Sequence, residues 1–243
     1  MIKATKGLFR YFLISIPFIF AHYNSFGQDN QSDSPVIIFR SYNGMMLNIN
    51  QSDSSDFSEF KNSTYKEDHY ELFEDGVKIE SELCKQHQTI FRKTNGAYIF
   101  PLENDDTIRL KKITKEENFK GMMDYKFIGQ FENYIVIYAD GFEWWSYYLV
   151  DLNGKTNYYL PGEPKFNRFN NTVISWTNYY GNSDLSIIDL EYNHDCMISI
   201  NNYEIDEFKS ADREIVLKLS NSQEIGKKTF YYRILWNRFN IKS

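Results

Sequence analysis

Residues 134–190 decide the fold: YIVIYADGFEWWSYYLVDLNGKTNYYLPGEPKFNRFNNTVISWTNYYGNSDLSIIDL. They hold two copies of one unit, 38 residues apart. Residues 134–138 (YIVIY) align with 172–176 (TVISW), and residues 145–152 (WSYYLVDL) align with 183–190 (SDLSIIDL). The periodicity within each copy is that of strands. Tyr134, Val136 and Tyr138 fall on one face, and Ile135 and Ile137 on the other. Both faces are apolar, which predicts strands covered on both sides. Asp151-Leu152-Asn153-Gly154 predicts a type I turn with Gly154 at positive φ. The chain then returns through residues 155–160 and stops at Pro161-Gly162.

Outward from this stretch the strand signals continue. Asn43-Gly44 lies between the apolar runs 36–40 and 45–49, and Asn95-Gly96 between 89–92 and 97–100. Asn-Gly in that setting is the strongest short hairpin signal. Residues 50–70, acidic and serine-rich, read as a loop. Residues 77–80 (VKIE) and 107–113 alternate as strands. The one predicted helix spans 114–124, with Thr114 and Glu117 as a capping box and Phe119, Met122 and Met123 as its buried stripe. Residues 214–219 and 229–235 read as a third, shorter copy of the unit. The chain divides into about five units near 36–76, 77–125, 126–166, 167–208 and 209–241, a period that suits stacked β-repeats. With 19 Tyr and 20 Phe, the composition also favours strands.

The repeated order is strand, aromatic loop, strand ending in aliphatic-Asp-Leu, Asn-Gly-Lys turn, strand, then Gly-x-Pro-x-Phe. This resembles secreted β-propeller repeat proteins, over the last 110 residues. The segment Glu163-Pro164-Lys165-Phe166 with Asn170-Asn171 resembles the link from one blade to the next in that group. The resemblance implies an all-β, propeller-like array of about five short antiparallel units. Without it the residues also admit an irregular β-sandwich. Such scaffolds host binders and enzymes alike, so fold does not name function.

Residues 1–27 read as a secretory signal peptide. Lys3, Lys6 and Arg10 precede an apolar core at 11–21, and Ser25 and Gly27 are small residues before a cut at Gln28. The apolar run is shorter than the ~20 residues a bilayer requires. Residues 28–35 read as a flexible leader and 36–243 as one β-repeat domain. Cleavage would leave no segment stably inserted in a membrane, with the protein periplasmic or secreted. Of the 27 Lys+Arg, three would be lost, leaving 24 against 33 Asp+Glu, a net charge of −9. That balance opposes nucleic-acid binding, which needs a basic surface. Cys84 and Cys196, the two cysteines, are read as separate buried thiols, with a disulfide, which export would permit, as the alternative.

The motifs of catalysis fail one by one. Gly154-Lys155-Thr156 lacks the first glycine of a phosphate loop, since Leu149 stands there. The histidines of the exported chain, His69, His87 and His194, form no HxxxH pair. Asp151 and Asp189 occupy equivalent repeat positions, where a turn-closing side chain explains them without catalysis. No catalytic residue, metal ligand or cofactor is assigned. The remaining signal is aromatic. Phe142, Trp144 and Trp145 in one hairpin loop match Tyr179 and Tyr180 in the next. Exposed aromatics mark protein or sugar binding, so these five residues predict recognition of a protein or an envelope glycan. A carbohydrate-active or other hydrolytic enzyme on a β-scaffold is the alternative, and glycoside hydrolysis would need two convergent carboxylates.

Overall fold

A computed structural model describes residues 34–42, 45–60, 69–102, 107–112, 124–141, 144–168, 170–221 and 228–238. The predicted signal peptide, most of the predicted leader, Asn43-Gly44, Phe142 and all but the last residue of the predicted helix at 114–124 lie outside the described residues. In the N-terminal half the elements are β1 (Val36–Tyr42), β2 (Met45–Ser52), α1 (Ser54–Glu59), β3 (Glu71–Leu72), α2 (Gly76–Gln86), β4 (Lys93–Thr94), β5 (Ala97–Pro101) and β6 (Thr107–Lys111). The strand-rich remainder runs β7 (Asp124–Phe131), β8 (Tyr134–Gly141), β9 (Trp144–Asp151), β10 (Tyr158–Leu160), β11 (Lys165–Asn167), β12 (Thr172–Tyr179), β13 (Asn182–Asp189), β14 (His194–Asn201), β15 (Glu204–Ala211), β16 (Glu214–Ser220) and β17 (Thr229–Arg238).

The chain is all-β in class, and the described residues form four antiparallel sheets, none closed on itself. Their orders are β4-β5-β6, β10-β9-β8-β7-β3, β1-β14-β13-β12-β11 and β15-β16-β17-β2. The apolar runs on both strand faces are explained by stacking. One face of β8 and β9 (Ile135, Ile137, Val150) packs with Leu83 of α2 and with Tyr98, Phe100 and Leu110. Their other face (Val136, Leu149) meets Phe166, Val173 and Ile188 of the next sheet. That sheet turns Ile174, Leu185 and Ile187 toward Ile215, Leu217, Ile234 and Trp236.

The two aligned stretches share one pairing register. Tyr134 pairs with Asp151 and Ile135 with Val150; Thr172 pairs with Asp189 and Val173 with Ile188. Val150 and Ile188 are both fully buried. The third stretch follows suit, with Glu214 opposite Leu235. One backbone bond recurs beside each pair: Leu152 N–H to Asn133 O at 2.8 Å, Leu190 N–H to Asn171 O at 2.8 Å and Trp236 N–H to Arg213 O at 3.1 Å.

The N-terminal half departs from the sequence reading in four places. β1 and β2 do not pair as a hairpin. β1 lies along β14 and β2 along β17, from Val36↔Asn201 and from Tyr231↔Ser52. Each strand thereby extends a large sheet, whereas an isolated two-stranded hairpin is marginal in water. Residues 77–80 are helix and not strand. Asp75 caps α2, accepting from Val77 N (3.1 Å) and Lys78 N (3.0 Å), and Glu80 and Leu83 form the buried stripe. Four alternating residues cannot separate the two periodicities, and the cap was the overlooked signal. Within 50–70, α1 forms behind its own cap, Asp53, to bury Phe57 against Tyr231, with centroids 5.6 Å apart. Residues 89–91 wrap the end of α2, where Ile90 and Phe91 N–H both bond His87 O. The Asn95-Gly96 hairpin is present, with φ of +53° and +76° as a mirror-image type I turn requires.

Candidate functional site

Four of the five predicted aromatic residues, Trp144, Trp145, Tyr179 and Tyr180, sit at the hairpin ends of two stacked sheets, and Phe142 lies outside the described residues. Trp144 and Trp145 open β9, where Trp144 pairs with Gly141 and Trp145 with Asp140. The Trp145 ring is 52% exposed. In the equivalent hairpin Tyr179 pairs with Asn182, and Tyr180-Gly181 (φ +47° and +79°) makes a two-residue turn. Tyr180 is 81% exposed because the turn aims it outward, and Tyr179 is 40% exposed. Burial raises the Tyr179 hydroxyl to about 12, helped by the charge and hydrogen bond of Asp184. Asp184 is itself held by Ser199 Oγ at 2.7 Å.

The structure adds a ring that the sequence reading missed. Tyr159 of β10 is 39% exposed, lies 5.7 Å from Tyr148 and feels the charge of both Asp184 and Tyr179. Burial is the main cause that pushes its hydroxyl up. Tyr159 lies on the edge strand β10, opposite Tyr148 of β9. Its signal was the Tyr158-Tyr159 doublet, whose first ring is buried and whose second, by strand alternation, must face the other way. Between Trp145 and Tyr179 or Tyr180 the structure records no ring contact among the described residues.

At the opposite end the two aspartates close turns. Asp151 is 2% exposed and accepts from Asn153 N (2.8 Å) and Lys155 N (3.1 Å). Asp189 accepts from Glu191 N (3.1 Å) and Tyr192 N (3.3 Å). Both carboxylates are occupied by backbone donors, the duty an Asx turn gives them. Asp151→Ala is therefore expected to cost about 2 kcal/mol of stability, the scale of hydrogen bonds to a charged group. Urea unfolding of the single mutant measures it, and a loss under about 0.5 kcal/mol would show the turn stands without the side chain.

A second polar cluster was invisible in the sequence. Glu80 of α2 is 7% exposed, and its Oε1 accepts from Lys93 Nζ (2.9 Å), Tyr98 OH (3.0 Å) and Tyr125 OH (3.1 Å). Lys112 Nζ lies 3.1 Å from Oε2. Burial alone would raise the Glu80 carboxyl, but bonds from Lys93, Lys112 and Tyr98 outweigh it and hold the carboxyl below its usual 4.5. Burial pushes Tyr98 and Tyr125 up, reinforced by Cys84 at Tyr98 and by Glu80 at both. Tyr98 spends its proton on Glu80, so the Cys84 thiol is the donor in its 2.9 Å contact with the Tyr98 oxygen. Every Glu80 oxygen is engaged, which makes the cluster a clamp between α2, β5 and β7.

No family model, curated protein or solved structure matches this chain. Function is therefore argued from these residues alone. Among the described residues no group of three His, Cys, Asp or Glu side chains is placed to hold a metal ion. Cys84 and Cys196 are free thiols, the second fully buried. Among the described residues no helix is long and apolar enough to cross a membrane.

Proposed function

We propose that the protein is an exported, non-enzymatic binding protein of the cell envelope, and that it recognises a protein or glycan through the aromatic rim. The observation that carries this reading is the set of exposed rings Trp145, Tyr179 and Tyr180 at the hairpin ends of two consecutive sheets, with Tyr159 exposed on the edge strand β10. Large aromatic side chains left in water are the groups that dominate binding when a partner desolvates them. The carboxylates that repeat along the chain, Asp151 and Asp189, are committed to turns. The three stretches of shared register serve as neighbouring units of a propeller-like array, whose hairpin loops then crowd one face. The third unit completes its sheet with β2 from the N-terminal end.

The test is affinity capture from envelope extracts on the immobilised protein, followed by titration of whatever is retained. Trp145→Ala combined with Tyr180→Ala should weaken that partner by about 2 kcal/mol or more, roughly 30-fold. Thermal melting should hardly move, because exposed rings lose little packing. A partner that binds the double mutant equally well sinks the rim as its site. Export is tested separately. The mature chain should begin near Gln28 in the periplasmic or secreted fraction, as read by N-terminal sequencing. An intact Met1 in the membrane pellet would refute it.

A further inference from the structure

The end opposite the rim carries two depressions on either side of the 151–155 turn. One, of about 710 Å³, is lined by Gln86, His87 and Gln88 after α2 and by Leu152, Asn153 and Gly154. The other, of about 210 Å³, is lined by Asn133, Asp151, Asn153, Lys155, Asn171 and Asn193. Asn153 lines both. The larger falls within the size range of ligand clefts. We propose that the two together form a binding site for one uncharged carbohydrate chain lying across the turn at Asn153.

Three properties select that ligand class. First, six of the lining side chains are carboxamides: Gln86, Gln88, Asn133, Asn153, Asn171 and Asn193. A carboxamide carries a donor pair and an acceptor, the complement of sugar hydroxyls, which both donate and accept; of the six, Gln88 Nε2 donates to Lys85 O and Asn193 Oδ1 accepts from Tyr158 OH within the protein. Second, the local charge is small. Lys85 lines the larger depression, and Lys155 lines the smaller with Glu132, Asp151 and Glu191, a difference of −1 over both, while the chain as a whole carries −6. A polyanion therefore meets a repulsive site on a repulsive molecule. Third, the apolar lining is sparse: Ile90 and Leu152 in the larger depression, Tyr134 and Leu190 in the smaller. A peptide bound in extended form needs pockets for alternate side chains, and these scattered residues supply none.

The turn is also held in advance. Asp151 accepts from Asn153 N and Lys155 N, and its carbonyl accepts from Gly154 N at 2.9 Å. Beside it the Tyr158 hydroxyl lies 3.4 Å from Asn193 Oδ1. A rigid site loses less freedom on binding, which matters most for a ligand held by hydrogen bonds alone.

The site is separate from the aromatic rim, so its test can fail while the rim stands. The purified protein is titrated calorimetrically with cellohexaose, maltohexaose and chitohexaose, with a heparin hexasaccharide and an uncharged decapeptide as comparisons. At least one neutral hexaose should bind with Kd below about 1 mM. Asn153→Ala and Asn133→Ala should each weaken it about tenfold with unchanged melting, and Trp145→Ala should leave it within about twofold. Failure of all three hexaoses to bind at about 5 mM overturns the proposal, as does an Asn153→Ala protein that binds like the parent. Binding of the heparin fragment or the peptide in their place overturns the ligand class. Loss of hexaose binding in Trp145→Ala alone moves the carbohydrate to the rim and overturns this site.

Discussion

Glu80→Ala is expected to cost about 3–5 kcal/mol of folding stability, the loss typical when one partner of a buried charge cluster is removed. The deletion strands two buried phenols, Tyr98 and Tyr125, whose protons both point at Glu80 Oε1. It also leaves Lys93 and Lys112 without a counter-charge, each positioned over a tyrosine ring at 4.8 and 5.4 Å. The lysines are half exposed and water can reclaim them, so Lys93→Ala should cost only about 1 kcal/mol. Glu80→Gln keeps the shape and an acceptor for the phenols, and should fall between the two. Chemical denaturation of the three variants checks the order, and an alanine variant that loses less than about 1 kcal/mol would show the clamp to be ornamental. The pH dependence follows from the same carboxyl. Its folded pKa is depressed below 4.5, so the folded state binds its proton less readily than the unfolded chain. The stabilisation is fully present above pH 4.5 and is lost as pH falls through the lower, folded value. Glu80→Gln should lack this part of the acid dependence.

That clamp marks the boundary of what the sequence could tell. From residue 134 onward each strand repeats a pattern that its neighbour reinforces, so alternation assigned the faces and the turns at 151–154 and 180–181 set registers such as Val173↔Ile188. The aromatic hairpins were legible for the same reason, because a repeat places equivalent loops at equivalent ends. Glu80 gave no such signal. Its partners lie 13, 18 and 45 residues away at Lys93, Tyr98 and Tyr125, on elements that the chain brings together only after α2 docks. The docking is close. A Cβ on Gly76 would stand 2.3 Å from the Phe127 carbonyl oxygen, so only glycine lets the first turn of α2 reach β7. The Asn43-Gly44 reading failed on the same kind of contact. Local turn chemistry allowed a hairpin, but long-range pairing of β1 with β14 and β2 with β17 adds each strand to a larger sheet. The amide-lined depressions escaped because Gln86 and Asn153, near in space, are distant in sequence.

Phe166→Ala should be as damaging as the loss of Glu80, at about 3–5 kcal/mol, the usual cost of removing a fully buried phenyl ring. Phe166 closes the Gly-x-Pro-x-Phe segment that carries the chain from β10 to β11. Its ring is fully buried, stacked on Phe131 with centroids 4.0 Å apart and met edge-on by Tyr70 at 6.1 Å. It fills the core shared by the β7–β10 and β11–β14 sheets. The glycine four residues earlier serves the same junction. A Cβ on Gly162 would lie 1.9 Å from the Trp176 carbonyl oxygen, while Ser175 Oγ accepts from Gly162 N at 2.9 Å. The link is thus drawn against β12 at its glycine and anchored in the core at its phenylalanine. Phe166→Leu refills much of the volume and should cost about 1–2 kcal/mol. Two-state unfolding of both variants in urea decides the matter. If Phe166→Ala loses no more than Phe166→Leu, the ring is not the wedge between the sheets. If instead it unfolds the β7–β10 sheet before the rest, the two sheets are separable units, and the rim that spans their ends could part with them.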